Sequence, residues 1–424
     1  MDFKRAFAVL NTLVLRGLGS GIAVVFTVMV SRYLPTESAA RFFLLFNIST
    51  IAAVCFRWGL DEVIIRRIAR LLPGEVTGTA RYLIALSHRR VSLWSAMSLV
   101  VALAAFHQIF DTVLGSIGFF DLTIALFAAA FIALTACIAR VLQGSGRTNL
   151  ATFLLNIVVP GLSLLGLLLL IGFKVPDPRD LIMLYACVAI IVYLAIIVSR
   201  YGNPLALLAA GFKLNWRNAE CNAANKLGVV VFAQQVLSWV ALLIVPYAYG
   251  EQAYQGFVVV QKVSTLISLT MLAVNFTFSR QFAAMYVEGR LQDLRRMVGY
   301  SLMAIIAASL GIIALLIPSR NWLFSYAQLD TDMTDLLLIL LASQVFFSVS
   351  ALFSVVLSMA HDDNYLFVTQ TIINGAGAIL FIIACHFLPL EAVSALLVTS
   401  YLALSVALGL RVNCITSASK VARV

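Results

Sequence analysis

Of 424 residues, 62% are hydrophobic and 11% are charged, against a charged share of about 25% in ordinary soluble domains. A chain this apolar is excluded as a water-soluble enzyme. Its net charge of +10 is excluded as a nucleic-acid footprint, because no basic soluble module is present to carry it. Six cysteines without paired spacing and four scattered histidines give neither a disulfide framework nor a metal motif, and no cofactor is expected.

Apolar runs of about 20 residues cross a hydrocarbon core of about 30 Å. Twelve are expected, over 7–30, 39–56, 91–110, 122–142, 150–172, 181–199, 227–249, 254–276, 298–318, 336–359, 366–387 and 392–410. The predicted fold is therefore all-α: a polytopic integral membrane protein with twelve transmembrane helices in two pseudo-symmetric six-helix lobes, 1–212 and 213–424.

The first run follows Lys4 and Arg5, is too long for a signal core and has no small-residue cleavage site, so it is read as retained. It contains Arg16. A guanidinium there costs at least about 2.5 to 3.5 kcal/mol unless it meets water or a partner. Counting from Phe7 at 1.5 Å per residue places Arg16 about 14 Å along its helix, so snorkelling to the inner surface is strained. The neighbouring Gly17, Gly19 and Gly21 have two readings. The spacing Gly17-x-x-x-Gly21 suits close helix packing, and the same glycines could let the helix bend.

Hydropathy ends the second run at Phe56, before Arg57-Trp58-Gly59-Leu60-Asp61-Glu62. Beyond it Ile64, Ile65, Ile68, Leu71 and Leu72 recur at helical spacing, with Arg66, Arg67 and Arg70 opposite. That pattern suits a helix end at the inner interface touching lipid phosphates. Arg57 and Asp61 lie four residues apart and could neutralise each other on one helical face.

After the sixth run, YGNPLALLAAGFKLNWRNAECNAANK reads as the connection between halves. Sliding the first half by 214 positions aligns Glu37 with Glu251, Phe43 with Phe257, Arg66 with Arg280 and Arg81 with Arg295. Each half repeats one plan, which makes the copies parallel, with a substrate expected between them. The repeat sets Arg57-Trp58-Gly59-Leu60-Asp61-Glu62 against Met271-Leu272-Ala273-Val274-Asn275-Phe276, inside an apolar run. The helix of the second run is accordingly expected to continue inward, with Asp61 and Asn275 lining a polar depth. In the eighth run Lys262 lies about 12 Å beyond Tyr254. Neither Arg16 nor Lys262 has an acidic residue three or four positions away. Facing a wet cleft, each becomes a fixed cation that an anion would neutralise.

An inside N-terminus assigns twenty-one Lys/Arg residues to the inner side and five to the outer, namely Arg32, Arg41, Lys174, Arg179 and Arg320. Both termini are thus expected in the cytoplasm. Outer loops of at most about 20 residues leave no room for an extramembrane catalytic domain, so the protein is not expected to be an enzyme.

Three stretches resemble a known family. VSRYLPTESAARFFLLFNISTIAAVCFRWGLDEVIIRRIARLL is similar to the first hairpin of the polysaccharide flippases in the multidrug/oligosaccharidyl-lipid/polysaccharide exporter superfamily, with Gly59 at the helix-two glycine. VLQGSGRTNLATFLLNIVVPGLSLLGLLLL resembles the family's Gly-Arg turn between spans four and five. VVVQKVSTLISLTMLAVNFTFSRQFAAMYVEGRLQDLRRM resembles the first helix-to-loop segment of its second half. The resemblance implies a cavity in which basic residues of the first and eighth helices, here Arg16 and Lys262, hold a diphosphate. Ala53 falls near a position where the lipid II branch carries a cavity arginine, which argues for a glycan other than a peptidoglycan precursor.

The expected function is translocation of a polyprenyl-diphosphate-linked oligosaccharide across the bacterial cytoplasmic membrane by alternating access. Arg16, Lys262 and Arg57 would bind the anionic head group; Gly17, Gly19, Gly21, Gly59, Asp61 and Asn275 would serve as cavity or hinge. Membrane lipids and other glycan assembly proteins are the expected partners. No phosphate-binding GxxxxGK[ST] loop occurs, so the expected energy source is an ion gradient, the membrane potential or product removal. A cation-coupled drug exporter of the same fold needs carboxylates within its spans, and only Asp61 and Glu62 qualify. A glycosyltransferase or ligase acting on lipid-linked sugars needs acid/base residues in substantial outer loops.

Overall fold

The computed structural model describes residues 3–69, 71, 76–105, 118–173, 177–214, 219–329 and 333–417. Arg70, the outer end of the third expected span at 106–110 and the side chain of Asn275 lie outside the described residues. The described chain is helical from end to end: α1 (Phe3–Tyr33), α2 (Thr36–Arg57), α3 (Leu60–Ile68), α4 (Val76–Ala105), α5 (Phe119–Gly144), α6 (Thr148–Phe173), α7 (Pro178–Arg200), α8 (Pro204–Phe212), α9 (Ala219–Ser264), α10 (Ser268–Val287), α11 (Leu291–Tyr326), α12 (Thr334–Met359), α13 (Asp363–Ala384) and α14 (Leu390–Ser417).

Among the described residues, ten helical segments are long and apolar enough to cross a membrane. One of them, Glu220–Met271, is 52 residues long and holds two of the expected spans. The third expected span falls on α4, which starts well before residue 91, at Val76. This extension keeps His88, Arg89 and Arg90 helical and buried, because the protein itself supplies their partners. Arg89 Nη1 donates to the Leu214 carbonyl just past α8 (2.7 Å), Arg90 Nη2 donates to Asn225 Oδ1 (2.6 Å), and His88 bonds the Tyr193 hydroxyl.

The expected continuation of the second helix needs correction. Helix α2 stops at Arg57, and the chain passes through two left-handed residues, Trp58 (φ 39°) and Gly59 (φ 76°), before restarting as α3. A left-handed tryptophan costs about 1 to 2 kcal/mol, and packing must hold it there. Spans seven and eight are joined with no extended loop between them. They are two helices that meet at Gly250 (φ 78°, ψ 178°), a non-helical conformation open to glycine alone.

The helices divide into two units. The N-terminal unit comprises 14–232 and 245–255; the C-terminal unit comprises 1–13, 233–244 and 256–424. In lipid there is little hydrophobic force between helices, so close packing of small residues carries much of the association. Helix α5 shows this in the N-terminal unit: Ala125, Ala128, Ala129, Ala133 and Ala136 are buried on it, and α2, α3, α4 and α7 pack against it. At its end, a Cβ on Gly144 would lie 2.9 Å from Ile68 Cβ of α3. The C-terminal unit is centred on α12 and α14, with a core that includes Ile305, Leu352, Leu357, Leu404 and Leu408.

The 214-residue repeat is visible in the element bounds. Adding 214 to α5 gives 333–358, against the observed Thr334–Met359; α6 maps to 362–387, against Asp363–Ala384; α7 maps to 392–414, against Leu390–Ser417.

Candidate functional site

The break between α2 and α3 positions the site. Helix α9 crosses it at backbone contact: a Cβ on Gly59 would lie 2.3 Å from the Gly228 nitrogen and 2.5 Å from the Ala224 carbonyl. Reciprocally, a Cβ on Gly228 would lie 2.6 Å from Trp58 Cδ1. The Trp58 ring is clamped between Trp94 of α4, stacked at 6.1 Å, and Phe232 of α9 at 5.8 Å. The hinge expected at Gly59 is thus a tightly packed crossing, and its partner glycine on α9 was not singled out by the sequence reading.

On either side of the break stand Arg57, the last residue of α2, and Asp61, in the first turn of α3. Arg57 Nη1 donates to Asp61 Oδ2 at 3.2 Å, and its Nε donates back to the Ala53 carbonyl at 3.1 Å. The same Asp61 oxygen lies 3.8 Å from Arg140 Nη2 on α5. Arg140 Nη1 donates to Gln143 Oε1 at 2.8 Å. The side chains of Arg57 and Asp61 are 14% and 15% exposed, so their charges interact in a medium well below the dielectric of water. Asp61 is also favoured by the positive end of α3. The result is two guanidiniums sharing one carboxylate.

Arg16 of α1 is half-buried in the same unit, and the Arg140 guanidinium acts on it as a like charge. The expectation for the glycines beside it is only partly met. Nothing lies within 4 Å of a Cβ placed on Gly17 or Gly21, whereas one on Gly19 would lie 2.3 Å from the Asn156 carbonyl oxygen. Gly19 therefore makes the close contact, and Gly17-x-x-x-Gly21 does not. Asn156 belongs to a π-helical turn, Leu154–Val158, inside α6. Pro160, four residues on, has no N–H to offer its carbonyl. Such turns often mark functional positions.

Lys262 is half-buried on α9 and belongs to the C-terminal unit, so the two cations singled out first in the sequence lie in different units. Asn275 lies on α10, its side chain undescribed. Arg140, Gln143 and Asn156 were missed. Arg140 sits two residues before the expected end of its span and was counted among the inner loop charges. The available signal was the stripe Ala133, Ala136, Cys137, Arg140, three and four residues apart on a face that is otherwise buried.

No family model matches the sequence, and no curated protein matches it. Solved structures do. An inward-facing multidrug resistance MATE family transporter of the MOP superfamily aligns with TM-score 0.73 at 15% identity, covering 97% of this chain and 99% of its own. The chain has the fold of these transporters. An outward-facing MATE family transporter aligns with TM-score 0.63 at 15% identity over 97% of both chains. A MOP superfamily transporter from Pyrococcus furiosus, described as having a binding pocket of reverse polarity that suggests a different function, aligns with TM-score 0.66 at 15% identity, covering 97% and 96%. At such identity the likeness establishes the architecture, and the chemistry must be argued from this chain's own residues.

Proposed function

We propose that the protein is a flippase that moves a polyprenyl-diphosphate-linked oligosaccharide from the inner to the outer leaflet of the bacterial cytoplasmic membrane, with both termini in the cytoplasm. The observation that carries this reading is the pair Arg57 and Arg140 gathered on Asp61, with Arg16 in range of Arg140. Positive charge held at this burial is matched by an anion, and the guanidinium fork suits phosphate. The diphosphate is held by these arginines, while the polyprenyl chain stays in lipid; Lys262 is proposed as a phosphate-binding cation of the C-terminal unit. Membrane lipids and glycan assembly proteins are its proposed partners.

A cation-coupled multidrug exporter has the fold likeness in its favour. Against it, Asp61, one of the two carboxylates that could serve such coupling, is engaged by two arginines. The transporter described with a binding pocket of reverse polarity supports the view that this architecture serves more than one function.

The test replaces Arg16, Arg57 and Lys262 singly with Gln, confirms membrane levels, and measures glycan export and lipid-linked intermediates. Loss of export with accumulation of the intermediate is expected. Normal export in every variant, or altered drug resistance alone, contradicts the proposal.

A further inference from the structure

The Arg57–Asp61–Arg140 cluster is asymmetric in a way that a purely structural ion pair does not require. Arg57 is well served, with hydrogen bonds to Asp61 and to the Ala53 carbonyl. Arg140 is not. Its Nη1 bonds Gln143, its Nη2 stands 3.8 Å from Asp61 Oδ2, beyond hydrogen-bond range, and its Nε is buried with no hydrogen-bond partner. Nε and Nη2 form the edge of a guanidinium that grips two oxygens of a phosphate side by side. That edge is turned toward a carboxylate too far away to fill it. A buried donor left unsatisfied carries the full cost of its lost hydration, and an added group with several oxygens would remove that cost.

Resting on the flippase reading, we propose that Asp61 is a resident counter-anion of the Arg57–Arg140 pair, displaced when the phosphate of the substrate docks on the Nε–Nη2 edge of Arg140. The carboxylate keeps two guanidiniums from facing each other uncompensated while the site is empty, and it competes with the incoming anion, so the site binds and also releases. A phosphate carries more negative charge and more oxygens than the carboxylate, which makes the exchange favourable. Once displaced, Asp61 loosens the first turn of α3 just past the left-handed Trp58–Gly59 break. Occupation at α5 is thereby transmitted to the break.

The test uses the full chain in nanodiscs of neutral phosphatidylcholine, titrated calorimetrically with inorganic diphosphate and, separately, with a polyprenyl diphosphate. Asp61→Asn removes the competitor and is expected to bind about tenfold tighter, the order of one charge-assisted hydrogen bond. Asp61→Glu is expected to bind as the unaltered protein does, and Arg140→Gln to bind weakly whether or not Asp61 is also changed. Tightening with both ligands assigns recognition to the phosphate itself, and tightening with the polyprenyl form alone assigns it to the lipid head group; either supports the exchange. Asp61→Asn binding no tighter, in a variant that melts as the unaltered protein does, overturns it. If Asp61→Asn is not recovered folded, Gln143→Glu adds a second carboxylate on Arg140 and is expected to weaken binding about tenfold; unchanged binding overturns the proposal. Binding that depends on Arg140 without tightening in Asp61→Asn removes only the exchange. Absence of binding in every variant removes the exchange and the flippase reading together.

Discussion

The two units repeat one succession of helices and use matching places for polar contacts, but they fill those places with different chemistry. At an offset of 214, Arg140 corresponds to Ser354, Asn156 to Gln370, Gly19 to Ala233 and Pro160 to Asn374. In the C-terminal unit Gln370 Nε2 donates to Ser354 Oγ at 3.1 Å, and Asn374 Nδ2 donates to the Ala233 carbonyl at 3.0 Å. In the N-terminal unit the corresponding positions hold the Arg140 guanidinium near Asp61 and the close approach of Gly19 to Asn156. These neutral hydrogen bonds bind helices together, and what they leave over is acceptors: Gln370 Oε1 and Asn374 Oδ1 are buried without a hydrogen-bond partner. At Arg140 the atom left over is a donor of a cation, Nε, which suits an anion where the amide oxygens do not, and on this difference the anion chemistry is proposed for the N-terminal copy.

The comparison can be broken most severely at the α2–α3 crossing. Gly59→Val places a branched side chain at φ 76° against the Gly228 backbone, and should cost about 3 kcal/mol or more, seen as loss of folded protein in size-exclusion and melting measurements. Arg57→Gln or Arg140→Gln should lower export at least about tenfold, whereas Ser354→Ala, the counterpart of Arg140, should leave export near normal. Asn374→Ala should cost about 1 kcal/mol, the worth of its bond to Ala233, read as a lower melting temperature with substrate affinity unchanged. Smallest of all, Gly17→Ala and Gly21→Ala should move stability by about 0.5 kcal/mol or less, while Gly19→Ala, at 2.3 Å from Asn156, should not be tolerated. Equal effects at all three glycines would contradict the assigned packing.

Helix number, order and repeat were legible in the sequence because hydrophobic length and the 214-residue register are local or periodic signals. Arg57 and Asp61 were legible as a pair because they are only four residues apart, although they meet across the Trp58–Gly59 break and not on one helical face. What escaped was set by contacts distant in sequence. Nothing near Trp58 announces that Gly228, some 170 residues away, will force a left-handed break there. Arg140 looked like a topogenic charge until α3 brought Asp61 beside it. The role of Gly19 depends on a π turn centred on Asn156, which only the packed structure displays.

The central claim is that the arginines around Asp61 bind an anionic lipid head group. It is tested most directly by measuring the affinity of the purified full-length protein for a polyprenyl diphosphate before and after Arg57→Gln plus Arg140→Gln, with Ser354→Ala as the matched control. The account predicts a loss of at least about a hundredfold in the double variant and little change in the control. Equal affinity in all three proteins would contradict it.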